Sequence, residues 1–218
     1  MLFQDRREAG RYLAAVLHKY AGRPDVLVLA LPRGGVPVAY EIARVLNAPL
    51  DIFVVRKLGA PGQEELAMGA IASGGVRVLN HDVVRALGIT GADIERITVR
   101  ENEELKRREK QYRGDRPPVD ASGKVVILVD DGLATGSTMR AAAAALRRMG
   151  PLQIVVAVPV AAAQSCDDLR AEVDELVCGA TPAHFFAVGQ WYRDFEQTTD
   201  EEVRSLLQAV NENSTLHS

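Results

Sequence analysis

The chain has 218 residues, of which 47% are hydrophobic and 25% charged, with a formal net charge of -3. Those proportions belong to one globular domain with a core of its own and exclude a disordered or membrane-embedded chain. A small negative charge provides no field for wrapping nucleic acid, and no apolar run approaches a membrane span, so neither is an expected partner.

In chain order, the segment before Arg6 lacks the apolar core of a signal peptide, which points to a cytoplasmic protein. Arg6 to Tyr20 reads as an amphipathic helix with Leu13, Val16 and Leu17 inward. Val26 to Leu31 is an apolar strand, Val38 to Leu46 a helix, and Leu50 to Val55 a second strand. Gly59 to Glu65 is rich in glycine and proline, which suggests a mobile loop. Leu66 to Ala72 and Val76 to Leu79 then suggest an antiparallel hairpin on the sheet edge. Gly91 to Tyr112 is a long charged helix whose Glu104 and Arg108 fall at contact spacing; it reads as a solvated face. Val125 to Val129 is a third strand, followed by a helix from Met139 to Met149, a strand from Leu152 to Val158, a helix from Ala162 to Ala171 and a strand from Glu175 to Cys178. Cys166 and Cys178 have no metal-ligand spacing, so buried thiols are expected. An aromatic segment from Thr181 to Asp194 precedes a closing helix from Asp200 to about Asn211 and a polar, frayed tail over 213–218. Strand and helix alternate throughout, which requires an α/β fold with a parallel sheet flanked by helices.

The most specific stretch runs from Val125 to Met139. Its β-branched strand is of the kind buried on both faces of a parallel sheet, so Asp130 and Asp131 stand at the carboxyl end, where such sheets bind ligands. Ala134, Thr135, Gly136, Ser137 and Thr138 follow as a small, hydroxyl-bearing loop that opens a helix, and a helix N-terminus preceded by such a loop attracts an anion. No lysine stands beside Gly136, which rules out a Walker A loop, and no Gly-x-Gly-x-x-Gly follows the first strand.

This pattern resembles the type I phosphoribosyltransferases, whose signature is an apolar strand, two acids, a short apolar stretch and Thr-Gly-x-Thr. The resemblance implies the fold of that family as a single domain over the whole chain. It also implies transfer of ribose 5-phosphate from phosphoribosyl pyrophosphate (PRPP) to a nitrogenous, purine-like acceptor, with release of pyrophosphate. Mg²⁺ is the implied cofactor, organised through Asp130 and Asp131, and a homodimer is compatible with the family. By the same resemblance, residues 134 to 138 hold the 5′-phosphate. The second anion loop, Arg33, Gly34 and Gly35, faces pyrophosphate and often carries a strained peptide bond, here expected near Arg33-Gly34. Arg56 and Lys57 match a cation pair of the adenine enzymes, and the mobile loop corresponds to one that closes over the reaction, where Glu64 or Glu65 would serve as acid or base. The hood, approximately 179–198, would offer Phe186, Val188 and Trp191 to the base.

Two departures limit the acceptor. The 6-oxopurine enzymes carry an acid where this chain has Ala134, and their hood supplies a lysine, yet no lysine occurs here after Lys124. The signature is instead similar to that of the adenine enzymes, although the charged helix and the hood are not. A PRPP-sensing regulator is the alternative, disfavoured by the absence of a helix-turn-helix and a basic patch; a phosphosugar hydrolase lacks its Asp-x-Asp and histidine-rich motifs.

Overall fold

The computed structural model describes the backbone of residues 2–215 and the side chains of 2–210. Three apolar strands, β1 (Val26–Ala30), β6 (Val125–Val129) and β7 (Gln153–Val160), are buried along their length apart from Gln153. Strands with no polar face can only lie inside a sheet covered on both sides. With β2 (Leu50–Ile52) and β8 (Glu175–Ala180) they form a five-stranded parallel sheet in the order β2-β1-β6-β7-β8.

Because side chains alternate along a strand, the sheet divides the core in two. Val26, Val28, Ala30, Val125, Ile127 and Val129 face one side, where α1 (Arg6–Val16), α2 (Gly35–Leu46) and α7 (Asp200–Thr215) pack. Leu27, Leu29, Leu31, Val126 and Leu128 face the other, beneath α5 (Ser137–Arg148) and α6 (Ala163–Arg170). No helix among the described residues is long and apolar enough to cross a membrane.

Several expected elements are corrected. The second strand ends at Ile52 and not Val55, because the Val54 N–H leaves the main sheet to donate to buried Ser73 Oγ at 2.9 Å. The expected antiparallel hairpin forms as β4 (Gln63–Ala72) and β5 (Val76–Leu79), but with β3 (Val55–Ala60) it makes a separate antiparallel sheet and is not attached to the edge of the first. The expected mobile loop is therefore mostly strand. Only Pro61 and Gly62 turn, and Gly62, at φ +72, occupies the left-handed position such a turn requires. A short helix, α3 (His81–Ala86), capped by Asn80, was not apparent from the apolar pattern. The charged helix α4 (Gly91–Arg113) lies as expected but is not wholly solvated: Ile97 and Leu105 enter the first core, and buried Glu101 turns inward. Cys166 and Cys178, expected as thiols, are joined as a disulfide between α6 and β8. The closing helix continues to Thr215, so the frayed tail expected from 213 is helical that far, while 216–218 lie outside the described residues.

Candidate active site

The chain runs from β1 to β2 on one side and later returns to β6 on the other, so the order of strands reverses between β1 and β6. Connections diverge at such a point and leave a crevice at the carboxyl ends. The Leu31 N–H donates to the Val129 carbonyl at 2.9 Å, which sets the loop from Leu31 to Gly35 directly beside Asp130 and Asp131. The glycines of that loop serve this approach. A Cβ on Gly34 would lie 2.0 Å from Asp131 Oδ2, and one on Gly35 would lie 2.7 Å from the Val129 carbonyl. Neither glycine has a positive φ, so what they provide is space. The cis peptide of the loop is Pro32-Arg33, one bond earlier than expected.

One helix, α5, begins at this edge with an open N-terminus, whereas the first turn of α2 is closed by its own loop: the Gly35 N–H donates to the Leu31 carbonyl and the Val36 N–H to the Arg33 carbonyl, both at 3.1 Å, and Pro37 has no N–H. α2 starts after Gly34, α5 after Gly136 and α6 after Ala162, none with a side-chain cap, whereas α1, α3 and α4 are capped by Asp5, Asn80 and Thr90. Unfilled N–H groups at a helix start are donors for an anion. Gly136 holds φ +72, and the Thr135 and Ser137 hydroxyls stand 3.2 Å apart across the turn. Ala134, Thr135, Ser137 and Thr138 are exposed, and the Ala134 carbonyl is braced from below by the hydroxyl of Ser165 on α6.

The carboxylates are treated unequally. Burial, and then the charge of Asp131, push the Asp130 carboxyl well above the ordinary carboxylate range. Asp130 Oδ1 accepts from the Asp131 N–H at 2.8 Å. Asp131 accepts from Arg6 Nε at 2.8 Å, and its carbonyl accepts from the Tyr192 hydroxyl at 2.5 Å. Burial and the charge of Asp131 raise the Tyr192 hydroxyl, keeping it a donor. No three His, Cys, Asp or Glu side chains gather round one point among the described residues. The pair thus provides at most two protein ligands, the number at which Mg²⁺ keeps waters and shares substrate oxygens.

The remaining expected residues are placed differently. Arg56 and Lys57 open β3 and do not end β2; Arg56 gives Nε and NH2 to Glu101 at 3.0 and 2.5 Å, while Lys57 reaches Glu65 Oε2 at 3.3 Å. Glu64 and Glu65 are exposed near the tip of β3–β4. The guanidinium of Arg33 stands 3.7 Å from Asp200 in a polar cavity of about 260 Å³, whose walls include Arg107, Arg108, Gln111 and Tyr112. In the hood, Val188 covers Gly132, where a Cβ would lie 2.4 Å from its Cγ1. Phe186 is 80% exposed, and Trp191 packs beside Tyr192 with its buried Nε1 unpaired. Arg6, Ser165, Tyr192 and Asp200 had no sequence signal, since each acts across a separation that only folding closes.

The family description Phosphoribosyl transferase domain matches residues 4–192. A Mycobacterium tuberculosis protein with the provisional name phosphoribosyl transferase is 49% identical over 206 residues, which are 94% of this chain and 46% of that protein. The chain thus spans about half the length of that curated relative. The bifunctional protein PyrR of Corynebacterium diphtheriae is 32% identical over 123 residues, covering 54% of this chain and 63% of PyrR. The crystal structure of TT1426 from Thermus thermophilus superposes with a TM-score of 0.86 at 44% identity, covering 96% of this chain and 99% of that one.

Proposed function

Because this chain belongs to the phosphoribosyl transferase domain family, we propose that it transfers ribose 5-phosphate from PRPP to a nitrogenous, purine-like acceptor and releases pyrophosphate. The observation that carries this is the convergence at the β1/β6 reversal: the open start of α5, the glycine loop before α2 and two carboxylates, with Gly34 packed against Asp131 Oδ2. A donor with a phosphate at one end, vicinal hydroxyls in the middle and a pyrophosphate at the other matches that sequence of groups. The α5 loop takes the 5′-phosphate, the carboxylates accept from the hydroxyls, and the loop before α2 faces the pyrophosphate.

In the transfer, the acceptor nitrogen forms a bond to C1 of the ribose as the bond from C1 to the pyrophosphate oxygen breaks; the electron pair leaves with pyrophosphate, and the proton of the acceptor N–H passes to solvent. Asp130 and Asp131 would hold Mg²⁺ with substrate oxygens, and its chemistry is to neutralise charge gathering on the leaving group. Donors already fixed at the loop before α2 act there without reorganising. Exposed Phe186 offers the acceptor a flat apolar face.

A second reading, PRPP binding without transfer, is favoured by one observation. Ala134 brings no acid to the loop, and Glu65 is engaged by Lys57. Release of pyrophosphate with and without a panel of bases separates the two. Acceptor-dependent release supports transfer; tight Mg²⁺-dependent PRPP binding with no release under any base supports a sensor. PRPP affinity left unchanged by Asp130→Asn with Asp131→Asn removes both.

A further inference from the structure

Asp131 is held from two sides. Arg6 Nε donates to Oδ2 at 2.8 Å, both side chains being mostly shielded at 12% and 15% exposure, and Gly34 backs the same oxygen. Arg6 is itself fixed. Its guanidinium lies 3.9 Å over the Phe195 ring, and NH1 donates to the Glu196 carbonyl at 2.7 Å. A residue of α1 therefore joins the acidic pair to the hood and sets one fixed guanidinium against Asp131.

That arrangement separates two things a carboxylate pair can do. A divalent ion arriving alone would meet a fixed guanidinium at Asp131. Ribose hydroxyls arriving with a metal already bound to PRPP need only a lone pair of a carboxylate that stays in place, and the guanidinium takes hydrogen-bonding capacity from Oδ2 alone. Stacking on Phe195 and the bond to Glu196 oppose withdrawal of Arg6.

Resting on the PRPP reading above, we propose that Arg6 is a positioning and specificity residue: it fixes Asp131 as an acceptor for ribose hydroxyls and keeps free divalent metal off the pair. Metal then enters the site as its PRPP complex. The guanidinium does not touch the reacting atoms; it acts through Asp131.

Manganese(II), titrated by electron paramagnetic resonance without PRPP, tests this directly. Arg6→Met and Arg6→Gln, the second retaining a donor without charge, should each bind the ion about tenfold more tightly than the unaltered protein. That is the effect of losing one positive charge about 6 Å from a doubly charged ion even at the dielectric of water. Arg6→Lys should bind it as weakly as the unaltered protein. PRPP affinity at saturating Mg²⁺ should fall in Arg6→Met, because Asp131 is no longer held. Manganese affinity equal in the unaltered protein and both neutral variants overturns the proposal. If PRPP binds neither the unaltered protein nor any variant, the transferase reading fails, while the manganese series still decides the role of Arg6.

Discussion

Placing a methyl group on Gly34 tests the contact on which the site is built. The added Cβ would stand 2.0 Å from Asp131 Oδ2 and 2.6 Å from its Cγ, where ordinary contact begins at 3.4 Å. The backbone at residue 34 is helical, φ -59 and ψ -32, so alanine is not strained there and the whole cost falls on the carboxylate. Asp131 must rotate away, and its 2.8 Å bond from Arg6 is lost with the movement. A charged, partly buried hydrogen bond is worth about 1.5 to 3 kcal/mol. At about 2 to 4 °C per kcal/mol for a domain of this size, Gly34→Ala should lower Tm by about 3 to 12 °C. The control is Asp131→Ala, which vacates the space. In that background the same substitution should cost nothing or stabilise by about 0.4 to 1 kcal/mol, by restricting the unfolded chain. Thermal unfolding of the four proteins measures the coupling, and equal destabilisation by Gly34→Ala in both backgrounds would refute the reasoning.

Three further outcomes follow from the same geometry. Asp130→Asn removes a carboxylate that burial and Asp131 both penalise, so at neutral pH without metal it should raise Tm while abolishing Mg²⁺-dependent PRPP binding by calorimetry; a lower Tm counts against the electrostatic account. The Tyr112 hydroxyl, 2.7 Å from Asp200 Oδ1, is the main cause holding that carboxyl below its ordinary range. A depressed carboxylate stabilises the fold above about pH 4 and loses that contribution as pH falls through its folded value, so Tyr112→Phe should flatten the acid limb of Tm against pH; parallel curves would show the bond contributes nothing. Phe186→Ala, at a side chain 80% exposed, should leave Tm unchanged and raise the acceptor KM without altering PRPP affinity; a clear fall in Tm would make Phe186 structural.

The fold was legible wherever period and punctuation agreed. β1, β6 and β7 are apolar runs, β6 ending directly in two acids, and their burial on both faces follows from having no polar face. Of the second, antiparallel sheet, the pairing of β4 with β5 was legible and the separate strand β3 was not. Leu50 to Val55 reads as one strand, and it is broken where Val54 pairs with Ser73, nineteen residues on, its N–H donating to Ser73 Oγ and its carbonyl accepting from the Ser73 N–H. Glycine and proline in Gly59 to Glu65 suggested mobility, but one proline and one positive-φ glycine are also the requirements of a tight turn between paired strands.

Within the site, the legible part was contiguous and the rest was not. Asp130, Asp131 and residues 134 to 138 form one run, and strand followed by helix dictates their shared edge. Arg6 is one of 26 basic residues and lies 125 positions from its partner, so nothing local distinguishes it. The pair Arg56 and Lys57 shows a different limit. Successive side chains on β3 leave the strand toward opposite faces. Arg56 accordingly meets Glu101 of α4, and Lys57 meets Glu65 of β4. Arg33, near Asp200, and Arg107 and Arg108, both paired with Glu104, gather around one cavity beside the loop before α2, from a loop and a helix whose residues lie more than seventy positions apart. Residues clustered in sequence were separated by the alternation of the strand, and residues remote in sequence were brought together by the packing of α4 and α7 beside β2.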